Sequence, residues 1–172
     1  IDCEKFIAEV ASIDVELWKK IIIHPRATCI TSEHIEADCD KNTHLGTTKN
    51  GIGPAYAASI SREGTSALAA LICMQKQFPS SSLFEAFVAN NSTGIDPFDR
   101  YEYVVAEGSQ ATMLDNLLGS YPYVTSSQCI APSFYSSFGL GYLLSDNSVK
   151  KRVIGVMKPY TTRVGAGLLS RE

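Results

Sequence analysis

The sequence predicts an α/β protein with a central, mostly parallel β-sheet flanked by helices. Two observations predict it. Segments with apolar residues at helical spacing alternate along the chain with short apolar runs of the buried-strand type. The chain also has 172 residues, 45% hydrophobic and 19% charged, which suits one globular domain with a real core.

The elements follow in order. "CEKFIAEVASIDVELWKK" places Phe6, Ile7 and Val10 at helical spacing and reads as one or two short helices. "KIIIHP" is a continuous apolar run closed by Pro25 and reads as a buried strand. Thr31-Ser32-Glu33 can cap a short helix, because Ser and Thr oxygens accept orphan N–H groups. Residues 45–53 form a Gly-rich loop, with Pro54 where a helix begins. Residues 65–78 and 83–91 read as helices, and 90–99 is turn chemistry throughout. "YEYVVAEG" (101–108) reads as a strand entering a glycine turn. Residues 121–127 are irregular, 133–144 a helix broken around Gly139 and Gly141, and 150–167 a strand-like segment ending in a second Gly-rich loop.

Composition narrows the function. Net charge is −3 and no basic stripe occurs, which disfavours nucleic-acid binding. No apolar run approaches the roughly 20 residues of a membrane span, and no stretch reads as a signal peptide. The five cysteines are an odd number without a CxxC, so reduced thiols in a cytoplasmic protein are expected. His24, His34 and His44 fall ten apart, which matches no common zinc spacing.

Three segments can carry chemistry. In 46–62, glycines free the backbone to aim N–H groups at an anion, and Thr47 and Thr48 add hydroxyl donors. The positive end of the following helix points the same way. Arg62 lies two turns further on, too far to reach back easily, and is placed to serve a neighbouring subunit. A plain turn before a helix is the competing reading, since the loop is not GxxxxGK[ST]. In 106–115, Glu107 ends a predicted strand, where open sheets place ligands. Gln110 there offers both a donor and an acceptor to a heterocyclic base. In 159–167, paired with "YPYVTSS", hydroxyls and one Arg suit a ribose or phosphate. No Cys–His pair, GxSxG elbow or metal-ligand cluster points to another reaction.

These segments resemble adenylosuccinate synthetases. "GTTKNGIGPAY" resembles the family's GTT-x-x-GIGPAY, and "EGSQATMLDNLLGSYPYVTSS" its EGAQGTLLD…GTYPYVTSS. "GVMKPYTTRVGAG" resembles the stretch around Y-[ST]-TRVGAGP, and "IHPRATCITSEHIEAD" an upstream stretch. The order is the family's, and the resemblance covers essentially the whole chain. It implies a P-loop-NTPase-like synthetase fold, present in part, and a homodimeric C–N ligase that joins a purine nucleotide to L-aspartate. A nucleoside triphosphate phosphorylates the purine 6-oxygen, and the aspartate amine then displaces phosphate. The usual substrates are IMP and GTP, with Mg2+.

Carried over by motif, Thr48 and Thr125 would bind the nucleotide 5′-phosphate, and Arg62 would reach it from the other subunit. Gln110 would sit at the purine and the catalytic centre, and Val164 along the ribose. The chain also departs from the pattern. Ser59 stands where the family has Lys, EGAQG is EGSQA, "QCIAPSF" follows the serines, and the segment from Arg62 to Glu107 is short. These traits are similar to a phage-borne branch that acts on dGMP, with ATP as donor, to make the 2-aminoadenine precursor. A non-catalytic nucleotide-binding remnant is the third reading.

The family's GDEGKGK loop, its general-acid His, its aspartate loop and its GTP-recognition motif do not occur in these residues. The expectation is therefore that residues 1–172 are the central portion of a longer enzyme, inactive alone.

Overall fold

The computed structural model describes residues 1–41, 45–78, 80–91 and 101–167. It divides into two compact units, one of Ile1–Lys41 with Lys49–Glu102 and one of Asn42–Thr48 with Tyr103–Glu172.

The first unit is helical. Its elements are α1 (Cys3–Val10), α2 (Val15–Trp18), α3 (Ser32–Lys41), α4 (Ile52–Ile60), α5 (Ala67–Cys73) and α6 (Ser81–Asn91). α1 and α2 are the pair expected from the spacing of Phe6, Ile7 and Val10. Asp2 caps α1 by accepting from Lys5 N–H, and Asp14 caps α2 by accepting from Glu16 N–H. The core gathers Cys3, Ile7, Val10, Trp18, Ile23, Cys29, Ala67, Leu71, Phe78 and Phe87. Phe78 is its hub, with ring centroids 5.7 Å from Trp18, 5.1 Å from Phe84 and 5.5 Å from Phe87. The buried indole of Trp18 donates to the Val10 carbonyl at 2.9 Å, so its one polar atom is satisfied.

The cap of α3 is reciprocal. Thr31 Oγ1 accepts from His34 N–H at 3.4 Å, and His34 Nδ1 accepts from Thr31 N–H at 3.1 Å. This is a capping box with His in the place usually held by Glu or Gln. It gives His34 a local role, and His24 likewise accepts from Arg26 N–H in a turn. His44 lies outside the described residues.

The expected sheet is not seen among the described residues. Among the described residues, β-type pairing consists of two isolated bridges, Asp2 with Ile30 and Thr28 with Ser66. "KIIIHP" is not a strand. The Asn91 side chain does the work a neighbouring strand would do. Its Oδ1 accepts from Ile23 N–H at 2.6 Å and its Nδ2 donates to Ile21 O at 3.2 Å. Residues 101–108 and 150–158 also form no ladder and are exposed throughout. Val105 is 92% exposed and Val156 95%. β-branched composition fits a pleated surface, but a strand forms only against a partner.

The helix expected over 65–78 is shorter, ending at Cys73 and continuing as a 3₁₀ turn over Gln75–Gln77. The turn expected over 90–99 starts inside α6, and the rest of it lies outside the described residues. In the second unit, α7 (Ala131–Ser137) stops before Gly139 and a 3₁₀ turn follows over Gly141–Leu144, as the glycines predict. A further 3₁₀ turn covers Thr112–Leu114.

Candidate functional site

The second unit brings together three segments that lie far apart in sequence. Ala166 N–H donates to Leu45 O at 3.1 Å, joining the two Gly-rich loops. The loops meet backbone to backbone, and only glycine allows it. A Cβ on Gly46, whose φ is +61°, would lie 2.7 Å from Ala166 N, and one on Gly165 would lie 2.9 Å from Gly46 O. Arg163 makes the third link. Its Nη2 donates to Tyr123 O at 2.6 Å and its Nε to Ala166 O at 2.7 Å. The guanidinium also lies 5.9 Å from the centroid of the Tyr123 ring.

A second network folds 112–130. Thr125 N–H donates to Leu114 O at 2.8 Å and Asn116 N–H to Ser127 O at 3.2 Å. Between them sits Asp115, 1% exposed. One carboxylate oxygen accepts from Leu117 N–H at 2.9 Å and Leu118 N–H at 3.1 Å, the other from Cys129 N–H at 2.6 Å. These donors, Cys129 N–H foremost, hold the Asp115 carboxyl below its ordinary value.

The residues singled out from sequence fall as follows. Thr48, Gln110, Thr125 and Val164 belong to the second unit, and Arg62 to the first. Thr48 is exposed, Thr125 half-buried and Val164 76% exposed. Gln110 is exposed at φ +64°, a left-handed conformation uncommon for a residue with a side chain. Glu107 is exposed, in a stretch without a ladder. Arg62 has φ +66° and closes α4. Its N–H donates to Ser59 O at 3.1 Å while Glu63 N–H donates to Ala58 O at 2.9 Å. That is a Schellman motif with Arg where glycine is usual.

The loop expected to be one anion nest is divided between the units after Thr48. One of its amides is already engaged, because Gly51 N–H donates to Asp38 Oδ2 at 3.0 Å. Gly51, at φ +71°, also brings α4 against α3, since a Cβ there would lie 2.9 Å from the His34 and Ile35 backbone. α4 opens at Ile52, two residues before Pro54, which still falls in the first turn, where no N–H is required.

Two residues take roles that the sequence does not announce. Asp115 ends the 106–115 segment with no role of its own assigned, and no local signal separates a buried carboxylate from a surface one. Arg163 was read as a ligand group, whereas in the structure its guanidinium is a clamp. For Mg2+, no group of three His, Cys, Asp or Glu among the described residues can hold a metal ion. All five cysteines are free, and no described helix is long and apolar enough to cross a membrane.

Comparison with known proteins gives the family. The family model for adenylosuccinate synthetase matches residues 1–93 and 80–172. The adenylosuccinate synthetase of Lactobacillus johnsonii is 35% identical over 204 residues, taking in 95% of this chain and 45% of its own. That of Methanocaldococcus jannaschii is 33% identical over 178 residues, taking in 100% of this chain and 47% of its own. A structure of fully ligated adenylosuccinate synthetase from Plasmodium falciparum superposes with a TM-score of 0.73 at 26% identity, covering 98% of this chain and 47% of that one. The chain belongs to the adenylosuccinate synthetase family. It spans about half the length of the relatives it matches. The two matched stretches overlap at 80–93, inside the segment that reads as short, and the 204-residue alignment exceeds this chain's own 172 residues.

Proposed function

We propose that the protein is a purine-nucleotide:L-aspartate ligase and that these residues build its nucleotide-monophosphate site. The observation that carries the reading is the meeting of Leu45–Gly46 with Gly165–Ala166, and of Arg163 with Tyr123. Each pair joins two of the segments that bear the family's motifs. The side chains of Thr48, Gln110 and Thr125 make no hydrogen bond among the described residues, which leaves them available to a ligand.

In this reading the Thr48 and Thr125 hydroxyls donate to the 5′-phosphate. Arg62 adds a cation from the partner subunit of a homodimer. Val164 lies along the ribose. Gln110 orients the purine so that its 6-oxygen meets the incoming phosphoryl group. Oriented donors of this kind act on charge that grows in the transition state. The balance is nucleotide, aspartate and nucleoside triphosphate in, with succinyl-adduct, nucleoside diphosphate and phosphate out. The acceptor is IMP with GTP as donor. The chain's departures at Ser59, Ser109, Ala111 and 128–134 keep dGMP with ATP as the second reading. Residues 101–108 and 150–158 would become strands of a mostly parallel sheet once paired by further chain. In this reading the 172 residues alone make no product, since the family's P-loop segment does not occur in them.

The test is turnover by the protein from its natural source, with L-aspartate and each nucleotide–donor pair. Product from IMP and GTP supports the first reading, and product from dGMP and ATP the second. Nucleotide binding without product from either pair would make the protein a binding remnant.

A further inference from the structure

Asp115 has no part in the chemistry outlined above, yet it is the most deeply buried carboxylate among the described residues, at 1% exposure. Backbone N–H groups surround it, those of Leu117, Leu118 and Cys129 in hydrogen bonds and that of Ile130 beside them. Its two oxygens do different work. Oδ1 closes the local 115–118 turn. Oδ2 reaches fourteen residues on, to Cys129. Thr125 N–H to Leu114 O and Asn116 N–H to Ser127 O extend the same seam on the near side. The seam is tightly folded, since a Cβ on Gly119 would strike the Met113 carbonyl and lie 2.6 Å from that of Asp115.

We propose that Asp115 is a positioning residue for the nucleotide phosphate. By tying Cys129 down, it fixes the 125–129 segment so that the Thr125 hydroxyl is presented to the ligand. The inference rests on the nucleotide-site reading above. A carboxylate is required because both oxygens must accept. Asp115→Asn keeps one oxygen for the turn and sets its amide donor against the Cys129 N–H. The turn survives and the tie is lost.

The experiment measures dissociation constants for IMP and for inosine, which lacks the phosphate, on the natural protein and its variants. Asp115→Asn weakens IMP by about tenfold and leaves inosine unchanged, as does Thr125→Ala. The double variant is little worse than Thr125→Ala alone, because both act through one contact. Asp115→Glu, which keeps two acceptor oxygens, retains more IMP affinity than Asp115→Asn. Alkylation of the half-buried Cys129 thiol speeds up in Asp115→Asn while that of exposed Cys73 does not, a readout independent of any ligand. Normal IMP binding in Asp115→Asn beside impaired Thr125→Ala overturns the role of Asp115 and leaves the phosphate site standing. Normal IMP binding in Thr125→Ala overturns the site reading and this inference with it. If Asp115→Asn does not fold, equal loss in Asp115→Glu and an alanine variant overturns the proposal.

Discussion

Arg163 holds the backbone of Tyr123 at 2.6 Å across forty residues of sequence, and its other donating nitrogen holds Ala166 at 2.7 Å. A planar fork makes both bonds from one side chain, and a lysine ammonium cannot span them. Arg163→Lys should therefore cost about 1 kcal/mol, the scale of one charge-assisted bond in a half-exposed setting. Urea unfolding followed beside limited proteolysis at 159–167 checks this. Early cleavage there without a large shift in the midpoint is the expected pattern.

Arg62 sits in a left-handed cap position at φ +66°. Glycine takes that position without the steric cost of about 1 kcal/mol that a side chain carries. Arg62→Gly should stabilise the protein by roughly that amount and still raise the nucleotide Michaelis constant. Mixing Arg62→Leu with Gln110→Ala should restore part of the activity through hybrid dimers. No recovery in the mixture would contradict a shared site.

Gln110 has the same backbone oddity at φ +64°, but its side chain has a chemical task in the proposed reaction. Gln110→Ala should lower turnover by about two orders of magnitude, the scale of one positioned transition-state contact. Gln110→Gly separates backbone from side chain. It should be equally slow yet no less stable than the parent, as rate and melting measurements on one preparation would show.

The helices were legible because their signals are local. Phe6, Ile7 and Val10 set a period, Thr31 supplies a cap, and Gly139 ends a helix. The expected strands are not seen among the described residues, for the opposite reason. Ile21–Ile23 carries the right composition, but its backbone is satisfied by Asn91, nearly seventy residues away. Val104, Val105, Val153 and Ile154 describe a surface that fits a sheet, and composition says nothing about whether a partner is present. Thr48 and Gln110 stand out as donors in motif segments, and Thr125 enters through the resemblance alone. The buried tie of Asp115 and the clamp role of Arg163 do not stand out, because their partners are backbone atoms that any sequence supplies.

The thiols give a pH prediction. Burial, with the neighbouring Cys29, pushes Cys3 up to about 12 from an ordinary value of 9.0, and the two sulfurs are 3.5 Å apart. A raised value means the folded state favours the neutral thiol. The stability this contributes is complete below about pH 9 and is lost as pH rises toward 12. At pH 8, exposed Cys73 should react with a thiol reagent first, and Cys3 and Cys29 only after unfolding. Mass-resolved labelling with and without urea tests it.

The central claim is that a phosphoryl group is placed on the purine 6-oxygen and then displaced by aspartate. The most direct measurement uses nucleotide labelled with ¹⁸O at that position, turned over by the natural protein with aspartate and a nucleoside triphosphate. IMP and dGMP both carry this oxygen, so either acceptor reports. The label should leave in inorganic phosphate, one atom for each succinyl-adduct formed. Adduct with the label in water, or labelled nucleotide recovered intact while the triphosphate is consumed, would contradict it.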